Sequence, residues 1–358
     1  MLNNGYLEET LTRILVTGAA GMIGSFICED LLRKGHMVWA VDNLSGGLVE
    51  NIEHLNIEFR DQFHFFPYDA GDKKTMRDIF MGHRPETVVH CAANAREGAS
   101  VFSPSDITYN NVMIGATLLE LAIKYGMRRF VFFSSMSVYG NQKPAFHEKM
   151  PRLPVDPYGV CKTAVEMMIE QLAPVHNFSY VVLRPHNVFG SRQNLQDPYR
   201  NVVGIFMNRI MRKEPLYIYG RGHKRAFSYL EDSLPAFTKA ILDESINGEI
   251  VNVGGKEEIS IDEMARVVID EMLGPRSEYE IIHTEPRYGE VPSAFSTFKK
   301  SEEMLGYVEN VGWREGVRRM AKWAKRKGGQ PWRFAPLPLI NSSAPEPWKI
   351  LNNFKDNK

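Results

Sequence analysis

The sequence predicts an α/β fold: a doubly wound parallel sheet of the Rossmann type, carrying a smaller, mixed α/β lobe. Three observations predict it. Short apolar runs alternate with amphipathic runs of helical period through the first half of the 358 residues, as in a series of βαβ units. The first apolar run, Arg13–Val16, empties into Thr17-Gly18-Ala19-Ala20-Gly21-Met22-Ile23-Gly24, a glycine-rich turn from strand to helix. A second apolar run, Met37–Val41, ends in Asp42, about 20 residues after the turn, where a carboxylate meets a nucleotide ribose in such folds.

The elements follow in order. Gly18 allows the tight turn, Gly21 lets backbone approach a pyrophosphate, and Gly24 lets the helix pack close to the strand. The helix that begins at Ile23 offers its free N–H groups and positive dipole end to phosphates. It runs to Lys34 and is ended by Gly35. After Met37–Val41 comes a third strand, Phe63–Tyr68, ending at Asp69, and a helix from Lys73 to Met81. Thr87–His90 is a short buried strand leading into Cys91-Ala92-Ala93, small residues beside which a dinucleotide can pass. Ile107–Tyr125 is a long helix carrying Asn111, and Arg129–Phe133 a strand that empties into Ser134–Gly140. Pro157 suits the first turn of a helix reaching about Ala173. Tyr180–Leu183 is a sixth strand, ending at Arg184-Pro185-His186-Asn187.

Beyond Asn187 the rhythm changes to longer polar loops and shorter elements, as expected of a substrate lobe. Val202–Arg212 reads as a helix and Leu216–Tyr219 as a strand; Phe227–Leu230 and Ile250–Val253 read as strands returning to the main sheet. Ser260-Ile261-Asp262-Glu263 is a capping box ahead of the helix Met264–Leu273. A basic amphipathic helix, Arg314–Lys327, precedes a proline-containing tail or strap over 328–358. The expected division is a dinucleotide domain over 1–186 with a returning segment at about 225–255, a substrate lobe over 187–224 and 256–327, and the tail.

Composition narrows the partners. Lys+Arg and Asp+Glu are 43 each, so no global field recruits nucleic acid or an anionic membrane, and an anionic ligand must be held by a few placed residues. Cys28, Cys91 and Cys161 are odd in number and widely spaced, which predicts neither a disulfide framework nor a metal site and fits a reducing cytoplasm. Met1–Thr12 lacks the basic and apolar regions of a signal peptide. No apolar run approaches the ~18 residues of a membrane span.

Tyr158-Gly159-Val160-Cys161-Lys162 carries the chemistry. Residues four apart share one face of a helix, so the phenol and ammonium point into the same space. An ammonium and a bound nicotinamide's positive charge both favour a phenolate, moving a group of pKa about 10 toward useful basicity. Ser135, at the carboxyl end of the fifth strand, stands where open α/β sheets bind ligands. Asp42 accepts from both hydroxyls of an adenosine ribose and repels a 2′-phosphate, and Asn43-Leu44 follows rather than an arginine. This favours NAD over NADP.

Thr17–Gly24 with Asp42, Asp69, His90–Ala93, Asn111, Ser135, Tyr158/Lys162 and Arg184–Gly190 resembles the extended short-chain dehydrogenase/reductase family, in its nucleotide-sugar epimerase/dehydratase branch. The resemblance spans roughly 13–325. It implies a tightly held NAD, touched by Gly18, Gly21, Met22, Ile23, Asp42, Asn43, Asp69, Ala70, Ala92, Ala93 and Asn111, and a nucleoside-diphosphate sugar. It also implies roles: Tyr158 as base, Lys162 on the nicotinamide ribose, Ser135 on the reacting oxygen, Asp69 at the adenine. Relatives that dehydrate place Asp-Glu after the Ser135 position, and decarboxylating or 3,5-epimerising relatives place a glutamate or cysteine at the Ser137 position. Met136-Ser137 stands here instead. What remains is oxidation at C4, turning of the keto-sugar and return of the hydride to its other face.

In the substrate lobe Asn187 resembles the asparagine that holds the sugar diphosphate, Arg225 and Arg287 the phosphate-binding arginines, and Glu290 the acid on the nucleoside ribose. Ser137 is expected against the sugar. In the 4-epimerases that this chain resembles, the residue four beyond the acid walls the pocket beside the sugar's C2 substituent; here that position is Ala294, which is expected to leave space for an N-acetyl group unless Phe295 forms that wall. The expected partner is a nucleotide-sugar, most simply a UDP-hexose. The resemblance also implies a homodimer built on Ile107–Tyr125 and Pro157–Ala173, with Leu118, Leu121, Met167 and Met168 as apolar positions to spare.

Overall fold

Seven strands lie side by side in parallel, in the order Glu249–Val253, β6, β5, β4, β1, β2, β3. Here β1 is Arg13–Thr17, β2 Met37–Val41, β3 Phe63–Phe66, β4 Thr87–His90, β5 Arg129–Phe133 and β6 Ser179–Pro185. The structure, a computed structural model, describes residues 11–355; the N-terminal segment read above lies largely outside them. The strands are apolar almost throughout because both sheet faces are covered. Successive side chains of β1 go to opposite faces: Ile14 and Val16 join the core beneath helices Met22–Arg33 and Leu230–Leu242, and Leu15 the core beneath Lys73–His83, Ile114–Lys124 and Pro157–His176.

The chain winds outward from β1 through β2 to β3, then crosses back to place β4 on the other side of β1. This reversal leaves a crevice beyond the carboxyl ends of β1 and β4. Gly18, at φ +70°, makes it passable, since a side chain there would meet the Ala92 backbone nitrogen at 2.6 Å. A methyl on Gly24 would collide with the Gly18 carbonyl.

The helix expected over Ile107–Tyr125 is longer and less regular, running as Pro104–Thr108, a π-helical turn Tyr109–Met113, and Ile114–Lys124. Pro157 is at the start of Pro157–His176, whose cap is Asp156 accepting from the Gly159 N–H at 2.8 Å. Ser260 caps Ile261–Leu273 by accepting from the Glu263 N–H at 3.0 Å. Glu249–Val253 joins the main sheet beside β6, but Phe227–Leu230 does not form a strand of it. Ser228–Tyr229 pairs with Val188–Phe189, and Leu230 already begins a helix. Phe227 and Tyr229 are pulled into the core of the second lobe, with Trp313, Met264 and Phe206. Short strands complete that lobe: Leu216–Tyr219 with Ile281–Thr284, and Lys224–Ala226 between Glu258–Ser260 and Ser293–Ala294.

Candidate active site

The carboxyl ends of β1, β4, β5 and β6 open on one cleft of about 770 Å³ between the sheet and the second lobe. Helix Pro157–His176 sets three side chains on one face, at successive steps of four. Tyr158 and Lys162 line the cleft; Lys162 donates to the Phe133 carbonyl at 2.8 Å, with Nζ 5.6 Å from the Tyr158 ring centroid. Glu166, one turn further, accepts from Ser134 and from Arg184 at 2.9 and 2.6 Å. The same helix therefore positions the tyrosine–lysine pair and the strand end that carries Ser135. Arg184 also donates to the Tyr139 hydroxyl at 2.7 Å, which donates to Asn252 at 2.8 Å, so this buried charge pair is satisfied on every side.

Burial lowers Lys162 to about 8, against the pull of Cys91 and Glu166. Tyr158 corrects the sequence expectation. Burial and the negative charge of Glu97 push its phenol up, and the Ser135 hydrogen bond only partly offsets them. The chain's own charges do not make a phenolate, so the positive charge of a bound nicotinamide is the term left to favour one.

A dinucleotide fits the crevice on the chain's own geometry. Gly18, Gly21, Met22 and Ile23 line one side and Ala92 and Ala93 the other, in a space that the missing Cβ atoms leave clear. Asp42 lines its far end, accepting from the Ala20 and Leu44 N–H groups at 3.0 and 2.8 Å. Burial nevertheless raises its carboxyl. Asn43 and Ala70 line the cleft beside it, as does Asp69, which accepts from Gly71 at 2.7 Å and Asn43 at 3.2 Å. Asn111 does not line the cleft: it is buried in the π-helical turn, donating to the Ile107 and Asn94 carbonyls at 2.9 and 3.2 Å. Its Nδ2 ties this turn to the loop after β4.

At the other end Ser137, Asn187, Arg225, Arg287, Glu290 and Ala294 all line the cleft. Asn187 donates to the Ala226 carbonyl at 2.8 Å. Arg287 grips Glu290 with two bonds of 2.8 Å, and Arg225 reaches the same carboxylate at 3.5 Å. Burial opposes the charge on Glu290, yet Arg287 holds its carboxyl below the usual range. Ala294 shares a cluster with Met136 and Phe146; Phe146 lines the cleft and Phe295 does not.

Four contributors were not read from the sequence. Arg200 lines the cleft over Gly46, its Nε 3.3 Å from Asp197. Tyr219 packs under Arg287 at 4.8 Å. Trp348 reaches the cleft from the C-terminal strap and touches Tyr199, Phe102 and Arg287. Glu97 enters beside Ser135, with Oε1 3.5 Å from the hydroxyl. A charged pair before a glycine at the carboxyl end of a strand, Arg96-Glu97-Gly98, was the one legible signal among them. Among the described residues there is no metal-binding cluster, and Cys28, Cys91 and Cys161 are free. None of the described helices is long and apolar enough to cross a membrane.

A dinucleotide crevice meeting a serine, a tyrosine and a lysine defines a class of protein, that of nicotinamide-dependent enzymes acting on an alcohol carbon. The comparisons narrow the class. Residues 14–254 match the model of the NAD dependent epimerase/dehydratase family, and the chain belongs to that family. It is 32% identical over 321 residues to UDP-glucose 4-epimerase of Mycolicibacterium smegmatis, covering 88% of this chain and 99% of that protein. It is 30% identical over 324 residues to UDP-N-acetyl-alpha-D-glucosaminuronate decarboxylase of Bacillus cytotoxicus, covering 87% and 97%. The crystal structure of UDP-glucose 4-epimerase from Thermus thermophilus in complex with NAD superposes with a TM-score of 0.79 at 31% identity, covering 87% of this chain and 99% of that one. The cofactor is NAD.

Proposed function

We propose that this protein is a nucleotide-sugar 4-epimerase acting on a UDP-hexose through a 4-keto intermediate. The observation that carries this reading is the convergence of Ser135, Tyr158 and Lys162 on the dinucleotide crevice, with only Met136 and Ser137 following Ser135. Bound NAD supplies the acceptor, and later the donor, of a hydride at C4. Ser135 holds the C4 oxygen, and Tyr158 takes its proton as the carbonyl forms and gives one back after the sugar has turned. Lys162, charged and pinned to the Phe133 carbonyl, holds the nicotinamide ribose beside Tyr158. Arg225 and Arg287 face the diphosphate and Glu290 the nucleoside ribose. Ala294 leaves room for an N-acetyl group, although Phe146 narrows that wall, so UDP-N-acetylglucosamine is expected to be tolerated. A homodimer working in the cytoplasm, without nucleic acid or membrane partners, completes the proposal.

The test is turnover of UDP-glucose and UDP-N-acetylglucosamine without added NAD, followed by NMR of the inverted carbon. Tyr158→Phe should lower turnover by at least ~10²-fold and leave bound NAD unchanged, because only the proton-carrying oxygen is lost. Near-normal epimerisation by that variant would refute the mechanism. A 4-keto-6-deoxy product or release of CO₂ from a uronate would replace it with dehydration or decarboxylation.

A further inference from the structure

The loop after β4 is tied down on both sides of Glu97. Arg96 pairs with buried Asp197 at 2.9 Å and stacks over Tyr199 at 5.5 Å. Gly98 fits where a side chain would press on Arg287 at 3.0 Å and Trp348 at 3.1 Å. The Glu97 carbonyl accepts from the Ser100 N–H at 3.1 Å and its hydroxyl at 2.6 Å. From this fixed backbone the Glu97 side chain enters the cleft, where it is exposed to the cavity while deep among protein atoms. Among the described residues it forms no ion pair. Its neighbours Arg225 and Arg287 are both matched to Glu290.

We propose that Glu97 is a specificity-determining residue of the sugar subsite: it accepts a hydrogen bond from the C6 hydroxyl, carried on C5 beside the reacting C4, and rejects sugars bearing a carboxylate at C6. The inference rests on the C4 reading above. Ser135 holds the C4 oxygen, so a carboxylate 3.5 Å from its hydroxyl reaches the adjacent substituent of the ring. A sugar hydroxyl donates to that carboxylate, whereas a sugar carboxylate meets a like charge, with the two cleft arginines sharing Glu290 and turned to the diphosphate on the reading above.

Protonation sharpens the test. Burial, then Asp156, raises the Glu97 carboxyl to about 7, with Arg225 and Arg287 pulling it down and Glu290 pushing it up. Tyr158, the other titratable group facing it, is pushed up as well, and the Tyr158→Phe protein used below removes it from the titration. Below about 7 Glu97 is neutral and rejects anions weakly; above it the group is charged and rejects them strongly.

Calorimetry on the NAD-loaded Tyr158→Phe protein, which does not consume its ligand, would measure binding of UDP-glucose and UDP-glucuronate at pH 6 and pH 8. The expected result is a preference for UDP-glucose of roughly 10²-fold at pH 8, the scale of like charges at close quarters. It should narrow at pH 6 and collapse at both pH values when Glu97→Gln is added. Equal binding of the two sugars before that substitution, or equal weakening of both by it, would overturn the proposal. So would carbon-bound deuterium appearing in product made in D₂O by the wild type but not by Glu97→Gln, which would make Glu97 a base toward carbon. If the wild type turns over neither sugar while the Glu97-dependent preference persists, the epimerisation reading fails and the charge selection assigned to Glu97 stands.

Discussion

Asp42 is the side chain proposed to decide which cofactor is admitted. Its carboxylate is held at the end of β2 by two backbone N–H groups, so it does not swing away from an incoming 2′-phosphate. Arg200, the nearby cation, is engaged by Asp197 at 3.3 Å. Asp42→Ser with Asn43→Arg trades a repulsive charge for a forked phosphate partner. The double variant should shift the NADP-to-NAD affinity ratio by at least about tenfold, measured by fluorescence titration of the reduced cofactors. Wild-type protein that purifies with NADP would contradict this account of Asp42. Tyr158, Lys162 and Asp42 were all legible in the sequence, because helical period and strand-end spacing are local properties. The elevated phenol of Tyr158 was not, because it comes first from burial in the folded cleft and then from Glu97, which lies on another loop.

At the scale of an element, the C-terminal strap is the largest departure from a simple two-lobe reading. Its segment 328–355 crosses the substrate end of the cleft and ends in a short helix, Glu346–Leu351. Leu337, Ala344 and Trp348 build a separate apolar cluster with Ala99, Phe102 and Tyr199. Arg333 donates its N–H to the Gln196 carbonyl at 2.8 Å, and Asn352 donates to the Tyr199 hydroxyl at 2.8 Å. Trp348 thus backs Arg287, 5.6 Å from its ring centroid, and the loop that carries Glu97. Trp348→Ala should destabilise the protein by about 3–5 kcal/mol. It should also raise KM for the nucleotide-sugar while bound NAD stays constant, and Trp348→Phe should restore most of both losses. Loss of NAD with an unchanged KM would show that the strap serves the other end of the cleft. Nothing in the strap's composition marks this placement: the contacts that seat Trp348, with Phe102, Tyr199, Tyr219 and Arg287, are with residues far away in the chain.

For the whole molecule, of the four apolar positions read as able to pair two copies, Met167 alone is exposed. Leu118 and Leu121 are buried in the chain's own core and Met168 is half-buried against it. The exposed apolar residues there include Met113, Val160 and Met167, each about half exposed at 53%, 54% and 52%, beside Tyr109 and Val175. A dimer formed on these helices must bury that face. Val160→Glu with Met167→Glu should yield monomers in sedimentation while leaving the thermal midpoint close to wild type, because neither side chain supports the core. A wild-type protein that sediments as a monomer, or a variant that remains dimeric, would place assembly elsewhere or nowhere.

By itself the sequence determined the doubly wound sheet, the glycine turn at its centre, the acid at the end of β2 and the tyrosine–lysine pair. Each depends on a short-range period: two residues along a strand, four along a helix, one turn between them. The same local rules misplaced Phe227–Leu230, where a β-favouring run was claimed instead by the aromatic core of the second lobe. Only the tertiary structure brought Glu97 to Ser135, Arg225 to Glu290, Arg287 to Trp348, and Glu166 to Arg184. Those meetings depend on where β4, the substrate lobe and the strap come together, and that is set by packing over the whole chain, with no periodic trace along it.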